Sequence, residues 1–266
     1  MSASNNKPQL SLEQHEEATR LSLWGGQLLL QYGAESQLVE TLTHRLGTAL
    51  GCDWMDLAVS HNAIVLTSVS GPRYLTKTRR IVDRGINMTT VSQICRLVVM
   101  VEKGLKDARD VRQKLRELSD KQFHYNRWLM VVMVGLSCAC FARLQGGDWP
   151  VFCVTFMASA VAMFVRQELH HRGYHLLMNW VLSAAAATAV ASLGPAFSLG
   201  NKPELAMAAS VLLLVPGFPL MNAISDMVKG HVNVGIARWT WASMMTLSVA
   251  LGILLAMNLT GVWGWL

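Results

Sequence analysis

Charged residues are scarce in the second half of this sequence. Of its 266 residues, the first 127 hold 17 Lys and Arg and 13 Asp and Glu, whereas the remaining 139 hold only 6 and 4. The overall charged fraction is 15% and the hydrophobic fraction 52%, while ordinary globular proteins are about 25% charged. This composition excludes a purely soluble enzyme, a disordered chain and a secreted disulfide scaffold. It indicates a polar half followed by a membrane-embedded half.

Signatures of several other protein classes are missing as well. The N-terminal stretch MSASNNKPQLSLEQHEE lacks the apolar core and cleavage site of a signal peptide, so we expect the polar half to stay in the cytoplasm. The net charge of +6 is not gathered into the basic stripe of a nucleic-acid-binding protein. The five cysteines and eight histidines show neither C-x-x-C nor H-E-x-x-H spacing. We therefore predict no nucleic-acid partner, no metal site and no cofactor.

The polar half, residues 1–127, predicts a small α+β cytoplasmic domain. Apolar residues at helical spacing indicate three helices, at 12–31, 35–50 and 89–103, and 107–119 is expected to be a charged helix that leads towards the membrane. The β-branched stretch 57–69, the turn Gly71–Pro72 and a short strand near 74–78 indicate a hairpin. No arrangement of nucleophile and base has a recognisable spacing in this half. The sequence therefore predicts no catalytic residues, and we expect a protein that is not an enzyme.

The second half, residues 128–266, predicts an α-helical membrane domain with five transmembrane helices. The five apolar segments are 128–144, 149–165, 176–197, 205–228 and 239–262. Their lengths match the ~20 residues needed to span the hydrocarbon core. Tryptophans lie near many of the segment ends, where an aromatic belt is expected.

The basic residues between these segments predict the orientation. With the polar half inside, the cytoplasmic loops contain Arg166, Arg172, Lys229 and Arg238, and the outer loops only Arg143 and Lys202. Cytoplasmic loops carry the excess of Lys and Arg in membrane proteins. We therefore expect a multi-pass membrane protein with a cytoplasmic N-terminus and, after five spans, a C-terminus on the outer side of the membrane.

The fourth segment contains Pro216, Gly217 and Pro219 in its middle. Proline removes a backbone donor and clashes with the preceding turn, so the helix must kink or break here. Irregular backbone at membrane depth is tolerated where it is buried or lines a polar cavity, and transporters bind substrates at such breaks. A packing kink is the simpler alternative. We take these three residues as part of a substrate path.

Three polar residues, two just past the break and one at the inner end of the second segment, complete the predicted path. Asn222 and Asp226 are four residues apart and share one helix face. A carboxylate in a span is a functional candidate, for example in proton coupling, although Asp226 could instead pair with Lys229 or reach the headgroups. Arg166 could attract an anionic solute to the cytoplasmic mouth. Its alternative interpretation is ordinary cytoplasmic loop charge.

Four segments together resemble a known family. QYGAES at 31–36, SHNAIVLTSV at 60–69, TRRIVDRGINM at 78–88 and LLLVPGFPLMN at 212–222 are similar in order and spacing to the threonine/serine exporter (ThrE) superfamily, and most similar to its split, YjjP-like branch. The resemblance places Gly33, Ala34, Glu35, Ser36, Asn62, Arg84 and Gly85 in the shared N-terminal pattern. It places Pro216 and Gly217 in the shared membrane element.

This resemblance implies the large subunit of a two-component inner-membrane exporter. Its expected partner is a separately encoded small YjjB-like membrane subunit, with further copies of the pair assembling into a higher oligomer. The expected substrate is succinate or a related dicarboxylate. One alternative is a threonine or serine exporter component, which would need a buried anion such as Asp226 for the ammonium group. A membrane-anchored enzyme or sensor is the other alternative.

Overall fold

The computed structural model describes residues 10–82, 84–120 and 125–262. Their contacts divide the chain into two compact units. One unit contains the described residues before 121 together with Phe218–Trp239, and the other contains the described residues from 125 to Gly217 and from Thr240 onward. The sequence did not indicate that 218–239 would group with the N-terminal elements.

The N-terminal part of the first unit contains helices and one small sheet. Its elements are α1 (Leu12–Gln31), α2 (Ser36–Ala49), β1 (Trp54–Val59), β2 (Ala63–Ser70), β3 (Arg73–Arg80), α3 (Met88–Glu102) and α4 (Ala108–Asp120). Helix α1 begins at a capping box formed by Ser11 and Gln14. The four predicted helices are confirmed, with ends that differ by at most one residue.

The strand prediction for 57–69 is wrong in detail, because this stretch covers parts of two strands. The described part of the sheet is antiparallel in the order β1-β2-β3, and Val59 pairs with Ile64 across a turn. The residues between them, Ser60, His61 and Asn62, are polar and suit a turn. The predicted hairpin after it is present as β2 and β3.

The core of this unit lies between the sheet and the helices. Ile64 and Leu66 on one face of β2 are fully buried with Leu21 of α1 and Leu115 of α4. A polar pair is buried beside them, with His15 Nε2 2.8 Å from Ser68 Oγ. Both side chains are 0% exposed, so this serine–histidine contact is a structural hydrogen bond and not an accessible nucleophile.

The remaining elements are mainly apolar helices. They are α5 (Arg127–Leu144), α6 (Trp149–His171), α7 (Leu176–Ala191), the short α8 (Leu193–Ala196), α9 (Glu204–Ser210), a 3₁₀ turn (Leu212–Leu214), α10 (Gly217–Val228) and α11 (Val232–Thr260). Helix α6 continues past its predicted end at 165, and α11 begins before its predicted start at 239. Arg166 and Arg238 are therefore helical residues and not loop residues.

The structure supports four or five membrane crossings. In the described residues, α5, α6, α7 with α8, and α11 are each long and apolar enough to span a bilayer. Glu204–Leu214 and Gly217–Val228 qualify together, but they are bent by 58° at the break between them. Within the second unit, α9 packs small residues closely, since Ala206 and Ala209 are buried with Ala142 and Val151.

Candidate functional site

The predicted break of the fourth apolar segment is present. Pro216 is buried between the 3₁₀ turn and α10, and Gly217 is the first, exposed residue of α10. Pro219 follows in the first helical turn, where a missing N–H removes no helical hydrogen bond. The two prolines therefore end one helix and begin the next at the bend.

The helix before the break ends among buried hydroxyl groups. The Ser159 hydroxyl of α6 donates to the carbonyl of Ser210 at the end of α9, at 3.4 Å, and both serines are 0% exposed. The last carbonyls of a helix lack partners within the helix, and a second helix supplies one here. This contact satisfies a buried backbone carbonyl that the helix itself leaves without a partner.

Beyond the break, Asn222 and Asp226 both contact the segment QYGAES. The Asn222 side-chain amide donates to the carbonyl of Gly33 at 2.8 Å. Asp226 Oδ1 accepts from the backbone N–H of Ser36 at 2.8 Å. One face of α10 is therefore fixed to the turn that joins α1 to α2.

Asp226 is fully buried and bonded on both oxygens. The Arg238 guanidinium of α11 donates to Oδ2 at 2.7 Å and also to the carbonyl of Ala34 at 3.1 Å. Because the Glu35 side chain does not cap α2, Asp226 supplies the negative charge that a helix N-terminus favours. Lys229, considered in the sequence analysis as a partner for Asp226, does not pair with it.

Lys229 pairs instead with Glu35. Its ammonium lies 2.6 Å from Glu35 Oε1, and the Ser225 hydroxyl donates to Oε2 at 2.8 Å. The hydrogen bond from Lys229 is the main reason that the pKa of Glu35 is lowered below its ordinary value; burial opposes this effect, and the hydrogen bond from Ser225 adds a smaller lowering. We name this set the GAES clamp: Gly33, Ala34, Glu35, Ser36, Asn222, Ser225, Asp226, Lys229 and Arg238.

Residues 84–87 also contact the segment QYGAES. The backbone N–H of Arg84 donates to Gln31 and that of Asn87 to Tyr32, both at 3.1 Å. Gly33 has a φ of +88°, a conformation that favours glycine, and an added Cβ would lie 3.3 Å from the Ile86 side chain. The family-motif residues near 31–36 and 84–87 therefore form one packed locus.

The three remaining residues of the predicted N-terminal pattern are Arg84, Gly85 and Asn62. The Arg84 guanidinium donates to the carbonyl of Ser119 at 3.1 Å, and Gly85 has a φ of +81°. Asn62 is exposed in the turn between β1 and β2, where its carbonyl accepts from Ile81. Asn62 does not contact the GAES clamp within the described residues.

Arg166 belongs to the second unit. Its guanidinium lies over the ring of Trp180, 4.4 Å from the centroid. Its carbonyl accepts from the Asn179 side chain at 3.1 Å. In the residues that the structure describes, no three His, Cys, Asp or Glu side chains come together to hold a metal ion.

Sequence reasoning missed three members of the clamp as site residues: Ser225, Lys229 and Arg238. Arg238 was assigned to a loop, because the apolar run that follows it begins at 239. One indication in the sequence is that Arg238 directly precedes that run. Because a helix often begins before its apolar part, Arg238 could be expected in α11 with its cation on the helix surface. Nothing in the spacing indicated which anion it would meet.

These features define a protein with several helices that are long and apolar enough to cross a membrane, one bent helix pair and an α+β unit. The family model described as "Putative threonine/serine exporter" (ThrE) matches residues 20–260. The chain belongs to this family of membrane exporters. The prediction of a transporter component and not an enzyme is confirmed by this membership.

Individual relatives match the chain over nearly its whole length. "Probable succinate transporter subunit YjjP" of Klebsiella aerogenes is 49% identical over 97% of this chain and 99% of its own. The protein of the same name from Escherichia coli K12 is 47% identical over 96% of this chain and 100% of its own. The "Threonine/serine exporter" of Corynebacterium glutamicum is 21% identical over 88% of this chain and 50% of its own. No solved structure matches.

Proposed function

We propose that this chain is the large subunit of an inner-membrane exporter of succinate or a related dicarboxylate. The observation that carries the proposal is the identity of 49% to a succinate transporter subunit over nearly the full length of both chains. The N-terminal half, 1–127, is cytoplasmic in this proposal and the C-terminus periplasmic. The substrate path runs past the break at Pro216, Gly217 and Pro219.

Transport at such a break would require binding and not covalent change. Backbone groups freed by the prolines and the N-terminal dipole of α10 can replace part of the water around a carboxylate. Asn222 and Asp226 act on this path indirectly, because their hydrogen bonds to Gly33 and Ser36 hold α10 in place. The GAES clamp thus ties the helix after the break to the cytoplasmic motif.

The proposed partner is a small YjjB-like membrane subunit. The relatives' names contain the word subunit, which supports a partner of some kind. Many transporters bind their substrate near the membrane midplane, between two related structural repeats. The five predicted spans contain no detectable repeat and would therefore supply only one half of such an arrangement. A break that faced lipid would leave backbone groups unsatisfied, so another protein surface is expected to cover it, and copies of the pair would assemble around it.

Efflux from cells tests both the substrate and the partner. Cells that lack their own exporter of this family would be loaded with labelled succinate or labelled threonine and would contain this chain, the small subunit, or both. We expect succinate efflux only when both proteins are present. Efflux at the full rate with this chain alone would contradict the need for a partner, and efflux of threonine without succinate would contradict the substrate.

Export of threonine or serine is the alternative, and the Corynebacterium glutamicum relative favours it. A zwitterionic amino acid needs a buried anion for its ammonium group. Asp226, the acidic residue considered for that role, is 0% exposed and already paired with Arg238 at 2.7 Å. This pairing favours the dicarboxylate.

A further inference from the structure

The Arg166 side chain is a partly buried cation in a candidate membrane-spanning helix, with no counter-ion among the described residues. It lies in α6 against the face of Trp180, which is 7% exposed in α7. In the part of the chain that the structure describes, its guanidinium forms no ion pair and no hydrogen bond. An aromatic face attracts a cation but leaves all five guanidinium N–H donors available.

The other arginines of the second unit contrast with Arg166. Arg127 and Arg172 share the carboxylate of Glu168, at 3.4 and 2.9 Å. Arg143 also lies over a tryptophan, Trp149, but it donates to the carbonyl of Gly147. A buried unpaired charge is costly, and a charged side chain within a span is a functional-site candidate.

A second donor without an acceptor lies in the same place. The indole Nε1 of Trp180 is buried and has no hydrogen-bond partner among the described residues, although a buried Trp N–H usually finds one. Asn179 next to it is fully engaged, since its amide donates to the carbonyl of Arg166 and its oxygen accepts from Ser183. Asn179 thus fixes the contact between α6 and α7 and leaves the two donors unoccupied.

We propose that Arg166 and Trp180 form a binding site for one carboxylate group of the exported anion. The planar guanidinium offers two parallel N–H groups that match a carboxylate, and the indole N–H supplies a further donor. This inference rests on the proposed function and goes beyond it by assigning the anion's main ligand. It also predicts a role for Trp180, which the family motifs do not include.

Equilibrium binding of labelled succinate to the purified full chain, reconstituted with the small subunit in lipid nanodiscs, tests this site. Arg166→Gln is expected to weaken binding at least about tenfold, and Arg166→Lys by a smaller factor, because lysine keeps the charge without the fork. Trp180→Phe keeps an aromatic face and is expected to weaken binding several-fold through loss of the N–H. Arg143→Gln is the matched control, a second arginine stacked on a tryptophan, and should change binding less than about twofold.

Each variant must elute as a folded complex in size-exclusion chromatography. If Arg166→Gln does not form a folded complex, Arg166→Lys and Trp180→Phe are the variants that test the site. Unchanged succinate binding in all folded variants would overturn the site while leaving the proposed function intact. If the wild type binds malate or acetate but not succinate, and Arg166 variants lose that binding, the site is supported and the proposed substrate is not. Equal losses in the Arg166 and Arg143 variants would overturn the site.

Discussion

Asp226 is fully buried and accepts hydrogen bonds from the Ser36 backbone and the Arg238 guanidinium. Removal of one partner of a buried ion pair leaves the other charge without compensation. The Arg238 side chain is only 14% exposed, so water cannot fully replace the carboxylate. The pair is therefore a point at which a single isosteric substitution should have a large effect.

We predict that Asp226→Asn lowers the free energy of unfolding by about 3–5 kcal/mol, measured by denaturant titration of the purified protein in detergent. The control is Glu102→Gln at the exposed ion pair with Arg45, whose side chains are 31% and 41% exposed. That change should cost about 0–1 kcal/mol. Similar losses in the two variants would show that Asp226 does not act as a buried partner.

Glu35 should make the stability of the GAES clamp dependent on pH. Lys229, and then Ser225, lower the pKa of Glu35 below its ordinary value of 4.5. A carboxylate with a lower pKa in the folded than in the unfolded state stabilises the fold above the ordinary value, and this contribution is lost as the pH falls through the folded-state pKa. The stabilisation should therefore be complete at neutral pH and decline below 4.5.

The measurement compares wild type with Glu35→Gln across this pH range. The difference in unfolding free energy between the two proteins should stay constant from about pH 7 to 5 and shrink at lower pH. A difference that grows on acidification would mean that the Glu35 carboxylate is not held by Lys229 in the folded protein.

At the scale of secondary-structure elements, the helices could be predicted and their contacts could not. Apolar spacing located α1 to α3, the charged stretch after them located α4, and proline chemistry located the break before α10. The sequence does not separate β1 from its neighbour, because Asp56 interrupts the apolar pattern near the start of β1. The clamp joins residues 190 positions apart, such as Ser36 and Asp226, and no local periodicity encodes a partner so distant.

The break is the element for which sequence and structure agree best, and its removal should abolish transport. In the triple variant Pro216→Ala, Gly217→Ala and Pro219→Ala, a continuous helix can replace the bend of 58°. Asn222 and Asp226 would then leave their positions against Gly33 and Ser36. We expect loss of labelled succinate efflux, in cells that also contain the small subunit, without loss of membrane insertion.

A matched control is Pro195→Ala in the short helix α8, which also replaces a helical proline but lies away from the break in sequence. It should retain efflux at equal membrane abundance, judged by immunoblot of the membrane fraction. Normal efflux from the triple variant would reduce the bend to a packing feature and remove these residues from the substrate path.

At the scale of the whole molecule, the clamp constrains the membrane topology. Ser36 precedes the first span and Asp226 lies near the end of α10, and their hydrogen bond of 2.8 Å requires both to lie on the same side of the membrane. An even number of crossings must therefore separate them. Counting helices α5, α6 and α7 as three crossings, we predict that the bent pair Glu204–Leu214 and Gly217–Val228 supplies the fourth as a broken span and is not a re-entrant loop.

An even number of crossings between Ser36 and Asp226, followed by α11, predicts five crossings in total. Reporters fused at positions that follow different crossings can test this number. With the basic N-terminal half inside, a reporter active only in the periplasm should work after Gly200, fail after Gly230 and work again after Leu266. A reporter active only in the cytoplasm should give the opposite pattern. If the bent pair returned to the side from which it entered, the periplasmic reporter would work after Gly230 and fail after Leu266. The Gly230 fusion therefore distinguishes a broken span from a re-entrant loop.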